Sequence, residues 1–152
     1  MLDAKRFIMN QAAITQATKA SDIKRTWHLF DVKGKTLGRI STEIAHKLMG
    51  KGKPYFVRNL DLGDYVVVTN AKDIKVTGKK EEQKNYYRHS GYPGGFRSET
   101  LKELRARKPG DIIRHSVKGM LPNNRLRDKM LKRLFIFAEE DTKYQEKFKK
   151  SV

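Results

Sequence analysis

Trp27-His28-Leu29-Phe30-Asp31, then Val32-Lys33-Gly34-Lys35-Thr36, then Leu37-Gly38-Arg39-Ile40 is the run whose reading decides the fold. Trp27–Asp31 reads as a short strand and Lys33-Gly34-Lys35 as a turn. Leu37, Ile40, Ile44 and Leu48 then recur at helical spacing, with Ala45 and Met49 on or beside the stripe. Thr36 is the expected N-cap and Gly50 the expected C′ residue. Downstream, Asp64 leads into Tyr65-Val66-Val67-Val68-Thr69, a β-branched run without alternation. Such a run predicts a strand covered on both faces. Strand, helix and strand in that order make a βαβ unit, so the two strands should pair in parallel through a right-handed crossover.

Working outward, Asn70–Ile74 reads as a connector and Lys75-Val76-Thr77 as a third strand ended by Gly78. A basic, aromatic segment runs from Lys79 to His89. It leads into Arg88-His89-Ser90-Gly91-Tyr92-Pro93-Gly94-Gly95-Phe96-Arg97, a turn-rich stretch whose glycines permit close approach to a partner. Ser98 is the expected cap of a helix over Glu99–Lys108, with Leu101 and Leu104 inward, and Pro109-Gly110 should break it. Asp111 is the expected cap of a helix through Lys118, with Ile112, Ile113 and Val117 apolar and Gly119 terminating. A short helix is expected from about Asn124 to Lys132, and Leu134–Ala138 reads as the last strand. The pattern predicts one α/β domain over residues 25–138 with a small, mostly parallel sheet. Residues 1–24 form an arm before it, 139–152 a polar tail after it, and the inserted region from Lys79 to Arg133 is strongly basic.

The 152 residues carry 34 Lys+Arg against 17 Asp+Glu, a net charge of +17 and a pI near 10.1. The excess is uneven: residues 72–133 hold 18 basic and 7 acidic side chains, whereas residues 134–152 hold 4 of each. A surface so self-repelling calls for an anionic partner, nucleic acid before an anionic membrane. There is no cysteine, which excludes disulfides and cysteine-based metal sites or nucleophiles. No apolar run approaches the ~20 residues of a membrane span. Met1–Asn10 lacks an apolar h-region, so a secretory signal is not expected. Residues 1–24 read as a mobile or partner-ordered arm, with an organelle presequence as the alternative.

The familiar catalytic motifs fail on inspection. Gly34-Lys35-Thr36 invites a phosphate-loop reading, but that motif needs a glycine where Leu29 stands. Lys33, Lys35 and Arg39 near a helix N-terminus either hold an external phosphate or form a solvated basic turn. Asp61 and Asp64 suggest a metal, yet nothing marks a third ligand, and a turn into the Val66–Val68 strand explains them better. His28, His46, His89 and His115 show no metal-type spacing.

Two stretches carry binding chemistry. In the first, Lys79, Lys80, Lys84, Arg88 and Arg97 interleave with Tyr86, Tyr87, Tyr92 and Phe96, and His89 adds a ring nitrogen. Cations neutralise phosphates, and rings stack on unpaired bases or pack on sugars. At least one of Tyr86 and Tyr87 is expected in the core. In the second, Lys118-Gly119-Met120-Leu121-Pro122-Asn123-Asn124 makes a rigid turn before a helix bearing Arg125, Arg127, Lys129, Lys132 and Arg133.

These motifs, in order, resemble the bacterial-type large-subunit ribosomal protein thirteen family (universal ribosomal protein uL thirteen). The matching pieces are Trp27…Asp31-x-x-Gly34-Lys35-Thr36-Leu37-Gly38-Arg39 and Gly63-Asp64-Tyr65-Val66-Val67-Val68-x-Asn70-Ala71. They continue with Thr77-Gly78-Lys79-Lys80, His89-Ser90-Gly91-Tyr92-Pro93-Gly94-Gly95 and Val117-x-Gly119-Met120-Leu121-Pro122-x-Asn124. The resemblance implies a three-layer α/β/α fold with a four-stranded parallel sheet. It implies a structural role in the large ribosomal subunit, binding ribosomal RNA and supporting early assembly and translation, in the cytoplasm or in an organellar ribosome. It implies large-subunit ribosomal RNA and neighbouring ribosomal proteins as partners, and no membrane, small-molecule substrate, catalysis, cofactor or metal. Arg127-Asp128 departs from the Gly-Arg often found there. The rivals from other classes are a nucleic-acid-processing enzyme using Asp61 and Asp64, and a DNA-binding module.

Overall fold

The computed structural model describes residues 19–140 together with 143 and 144, and places the βαβ unit as expected. Strand β1 spans Trp27–Asp31, helix α1 Leu37–Met49 and strand β2 Tyr65–Thr69. β1 and β2 pair in parallel from Trp27 opposite Tyr65 to Asp31 opposite Thr69. Strand β5, Leu134–Ile136, adds in parallel on the other side of β2. Among the described residues the main sheet therefore has three strands, in the order β1-β2-β5. Lys75-Val76-Thr77, expected as a further strand, forms only an isolated parallel bridge between Thr36 and Lys75.

Alternation along β2 decides what each face of the sheet does. Val66 and Val68 face the helices and join one core with Ile40, Ile44 and Leu48 of α1. Four further helices follow: α2 (Lys80–Gln83), α3 (Leu101–Arg107), α4 (Pro109–Met120) and α5 (Leu126–Leu131). Leu101, Leu104, Ile112, Ile113, Val117 and Met130 from these helices complete that core, and α1 packs directly on α4. The opposite face of the sheet is aromatic. Trp27 stacks on Tyr65 at 4.4 Å between ring centroids, Phe135 lies 5.8 Å from Trp27, and Tyr144 stands 5.3 Å from Trp27 and 4.7 Å from Phe135.

The basic region departs from expectation in several places, including the start of its longest helix, which Asp111 does not cap. Strands β3 (Asn85–His89) and β4 (Phe96–Thr100) form an antiparallel hairpin separate from the main sheet. Ser98 lies inside β4, and Thr100 caps α3 instead. Thr100 Oγ1 accepts from the Glu103 N–H while Glu103 accepts from the Thr100 N–H. This capping box needs an acid three residues on, which Thr100 has and Ser98, followed there by Leu101, does not. Pro109 starts α4 at N1, where its missing N–H costs nothing, so one residue, Lys108, separates α3 from α4. Gly119 lies within α4 rather than ending it. Of the two asparagines, Asn124, just before the Arg125 N-cap position, braces the start of α5, its side-chain oxygen accepting from the Leu126 and Arg127 N–H groups. Residues 1–18 of the proposed N-terminal arm and most of the proposed tail lie outside the described residues.

Candidate functional site

The hairpin is built from its turn outward. The Ser90 N–H donates to the Gly95 carbonyl and the Gly95 N–H to the Tyr92 carbonyl. A Cβ on Gly95 would sit 2.0 Å from Ser90 Oγ and 2.8 Å from the Tyr92 oxygen, so no larger residue fits. His89 Nδ1 accepts from the Gly91 N–H at 2.9 Å. With Nδ1 committed as acceptor, the neutral ring carries its proton on Nε2, the outward nitrogen. Tyr86 turns inward against the core, 5.2 Å from His115, and burial pushes its phenol pKa up. Tyr87 turns outward, 67% exposed, and stacks on Phe96, itself 61% exposed. Tyr92 at the tip is 76% exposed. The alternation of a strand thus divides the tyrosine pair between core and surface. Arg88 and Arg97 are exposed cross-strand partners.

A second surface joins pieces far apart in sequence. Thr36, Gly38 and Arg39 at the start of α1, Lys75, Lys80, Lys84 and Ser116 line one cleft of about 460 Å³. Thr36 makes no side-chain cap, so the first turn of α1 presents N–H groups alongside four cations. Arg39, Lys80 and Lys84, which the sequence assigns to two separate stretches, come together here, with Lys33, Lys35 and Lys79 exposed in the adjoining turns. Lys75 joins them although its sequence reads as strand and gives no sign of a site. Its backbone is fixed by two bonds: the Leu37 N–H donates to its carbonyl, and its own N–H donates to Lys35.

The third surface is the turn after α4 and the short helix α5. Lys118, Asn123, Asn124, Arg125, Lys129 and Lys132 are exposed and Arg127 is half-buried. Arg133 stands apart from the others: it is 7% exposed, and its guanidinium grips Asp61 with two hydrogen bonds and reaches the Leu48 carbonyl. The sheet demands this. Arg133 immediately precedes β5, and its carbonyl accepts from the Val66 N–H, so the residue is carried into the protein.

The two aspartates weighed as metal ligands are both committed to structure. Asp61 pairs with Arg133 and Arg25. Asp64 accepts from Lys53 Nζ at 2.6 Å and from the Thr26 N–H at 3.0 Å, with His28 Nε2 at 3.1 Å. Burial pushes the Asp64 carboxyl up, but those hydrogen bonds and the Lys53 charge more than offset it and hold the pKa below the usual carboxylate value. Lys53 spends its other protons on the Lys24 and Leu62 carbonyls. Among the described residues, no group of three His, Asp or Glu side chains is placed to hold a metal.

The ion pairs sort the basic residues. Arg25, Lys53, Lys72, Arg105, Arg107 and Arg133 have carboxylate partners. Lys33, Lys35, Arg39, Lys79, Lys80, Lys84, Arg88, Arg97, Lys118, Arg125, Arg127 and Lys129 have none among the described residues.

Residues 25–143 match the family model described as ribosomal protein L13. The chain is 54% identical over 127 residues to the large ribosomal subunit protein uL13 of Dehalococcoides mccartyi, covering 84% of this chain and 89% of that protein. It is 50% identical over 131 residues to the uL13 of Dictyoglomus thermophilum, covering 86% and 92%. The uL13 of Aquifex aeolicus is 49% identical over 131 residues, covering 86% and 91%.

Proposed function

The chain belongs to the ribosomal protein L13 family, and we propose from that premise that it is a structural constituent of the large ribosomal subunit, binding ribosomal RNA through its unpaired cations. The family is a structural one, so the chain is not an enzyme. Its bacterial relatives put its place of work on the cytoplasmic ribosome.

The observation that supports the binding surface is the sorting of charge. Among the described residues, the cations read from the sequence as RNA-facing lack carboxylate partners, Arg133 excepted, whereas Arg25, Lys53 and Arg133, which hold the fold together, have them. Unneutralised charge of one sign on clefts and loops is suited to a polyanion. The RNA-binding set we propose is Lys33, Lys35, Arg39, Lys79, Lys80, Lys84, Arg88, His89, Tyr92, Arg97, Lys118, Asn123, Asn124, Arg125, Arg127 and Lys129, with Lys75 added. Lysine and arginine neutralise phosphates where RNA segments converge, and recognition is mainly of RNA shape. Partners include neighbouring large-subunit proteins.

We also infer the finer architecture that the resemblance implies. The backbone bonds tying Lys75 to Lys35 and Leu37 support a fourth strand beside the end of β1. Tyr144 over Trp27 and Phe135 supports a layer on the second face of the sheet. Residues 25–138 then make the domain, with 1–24 an arm and 139–152 a tail.

Binding of purified protein to large-subunit ribosomal RNA and to duplex DNA at matched salt tests the reading. Clear preference for the RNA is expected, with no magnesium- or manganese-dependent cleavage. Equal affinity for the DNA, or turnover abolished by Asp64→Ala, would overturn it.

A further inference from the structure

Met49 at the end of α1, Phe56, Val57 and Leu60 of the following loop, Met120 at the end of α4, Pro122 just after it, and Met130 of α5 line a cleft of about 400 Å³. Lys51, Arg58 and Asn124 complete its lining, and no carboxylate is among the lining residues. We propose that this cleft receives one unpaired nucleotide of the ribosomal RNA, its base between the methionines and Phe56 and its phosphate held by Lys51 and Arg58.

The volume lies within the ~300–1,000 Å³ of sites that enclose a small molecule, large enough for a base with its sugar. Its walls are chemically matched to a flat ring. Methionine sulfurs are polarizable and adapt to aromatic faces, and Phe56 adds a stacking surface. The wall is held open by structure rather than filled. Met120 is 40% exposed at the mouth, with Thr42 Oγ1 3.6 Å from its sulfur. The rim points to an anion: Lys51 and Arg58 are both exposed, and neither has a carboxylate partner among the described residues. Asn124 supplies polar selectivity. Its oxygen is committed to the Leu126 and Arg127 N–H groups, which leaves its amide NH2 to donate to an acceptor on a base edge. An apolar side chain of a neighbouring protein would use the walls but leave both cations unanswered, and this favours the nucleotide.

The proposal rests on the ribosomal reading, and its test separates the two. Benzoylphenylalanine is placed at Met120, the protein is assembled into large subunits, and the particles are irradiated. An adduct to one unpaired RNA nucleotide is expected. The same reagent at exposed Pro122 gives the second reading where the Met120 variant fails to fold. In parallel, Phe56→Ala in otherwise folded protein is expected to weaken binding to large-subunit RNA about tenfold. Adducts to protein alone, adducts spread over paired RNA, or subunits that carry the variant without any RNA adduct would overturn the nucleotide site while leaving the ribosomal role intact.

Discussion

Arg88 and Arg97 stand directly opposite one another across the β3–β4 ladder, two exposed cations in register. Like charges in that position destabilise a hairpin by a few tenths of a kcal/mol up to about 1 kcal/mol. A phosphate between them reverses the sign of the interaction. The free protein therefore carries a small cost at this site, which a phosphate bound there as proposed would remove.

Arg97→Ala should separate stability from affinity. Thermal unfolding of the variant is expected at or slightly above the parent midpoint, while RNA affinity falls and the slope of log affinity against log salt flattens by about 0.7–0.9. A lower midpoint with an unchanged salt slope would show that Arg97 supports the fold and not the RNA.

Arg125→Ala, Arg127→Ala and Lys129→Ala together should flatten that slope further, by roughly 0.7–0.9 for each phosphate no longer neutralised. An unchanged slope would mean that α5 does not face the RNA.

Arg133→Ala is expected to behave in the opposite way. It leaves Asp61, half-buried and still beside Arg25, partly uncompensated; breaking a fully buried pair costs about 3–5 kcal/mol, so a loss of roughly 2 kcal/mol is expected here. Denaturant unfolding should show that decrease, and folded variant at low temperature should retain the parental salt slope.

The Asp64 carboxyl has a folded pKa below its unfolded value of about 3.9. The stability it contributes is complete above that unfolded value and is lost as pH falls through the lower folded value. Asp64→Asn should lower stability at pH 7 and weaken the acid-side decline measured by urea unfolding between about pH 5 and pH 2. An identical acid limb in parent and variant would remove Asp64 as its source.

How much of this is legible in the sequence follows from how local each signal is. The βαβ unit is readable because its cues lie within a few residues: the Leu37–Leu48 stripe, the left-handed Gly50 and the Val66–Val68 run. The hairpin strands leave a weaker signature, because Asn85–His89 and Phe96–Thr100 bury little beyond the Tyr86 ring that packs against the core. The Thr100 cap is written in the sequence as Thr100-x-x-Glu103, but Ser98 nearby competes for the same role and only the capping box separates them. The surroundings of Lys75 and Arg133 are set by contacts that no local pattern contains. Lys75 reaches the cationic cleft through its bridge to Thr36, and Arg133 finds Asp61 at a sequence separation of 72 residues.

The central claim is membership in the large subunit through an RNA-facing surface. Sedimentation of cell extract in a high-salt gradient tests it most directly, with the chain followed by immunoblot. The protein is expected to travel with the large subunits and to leave them when the RNA is digested. A chain found at the top of the gradient, or one still bound to particles after digestion of the RNA, would contradict it.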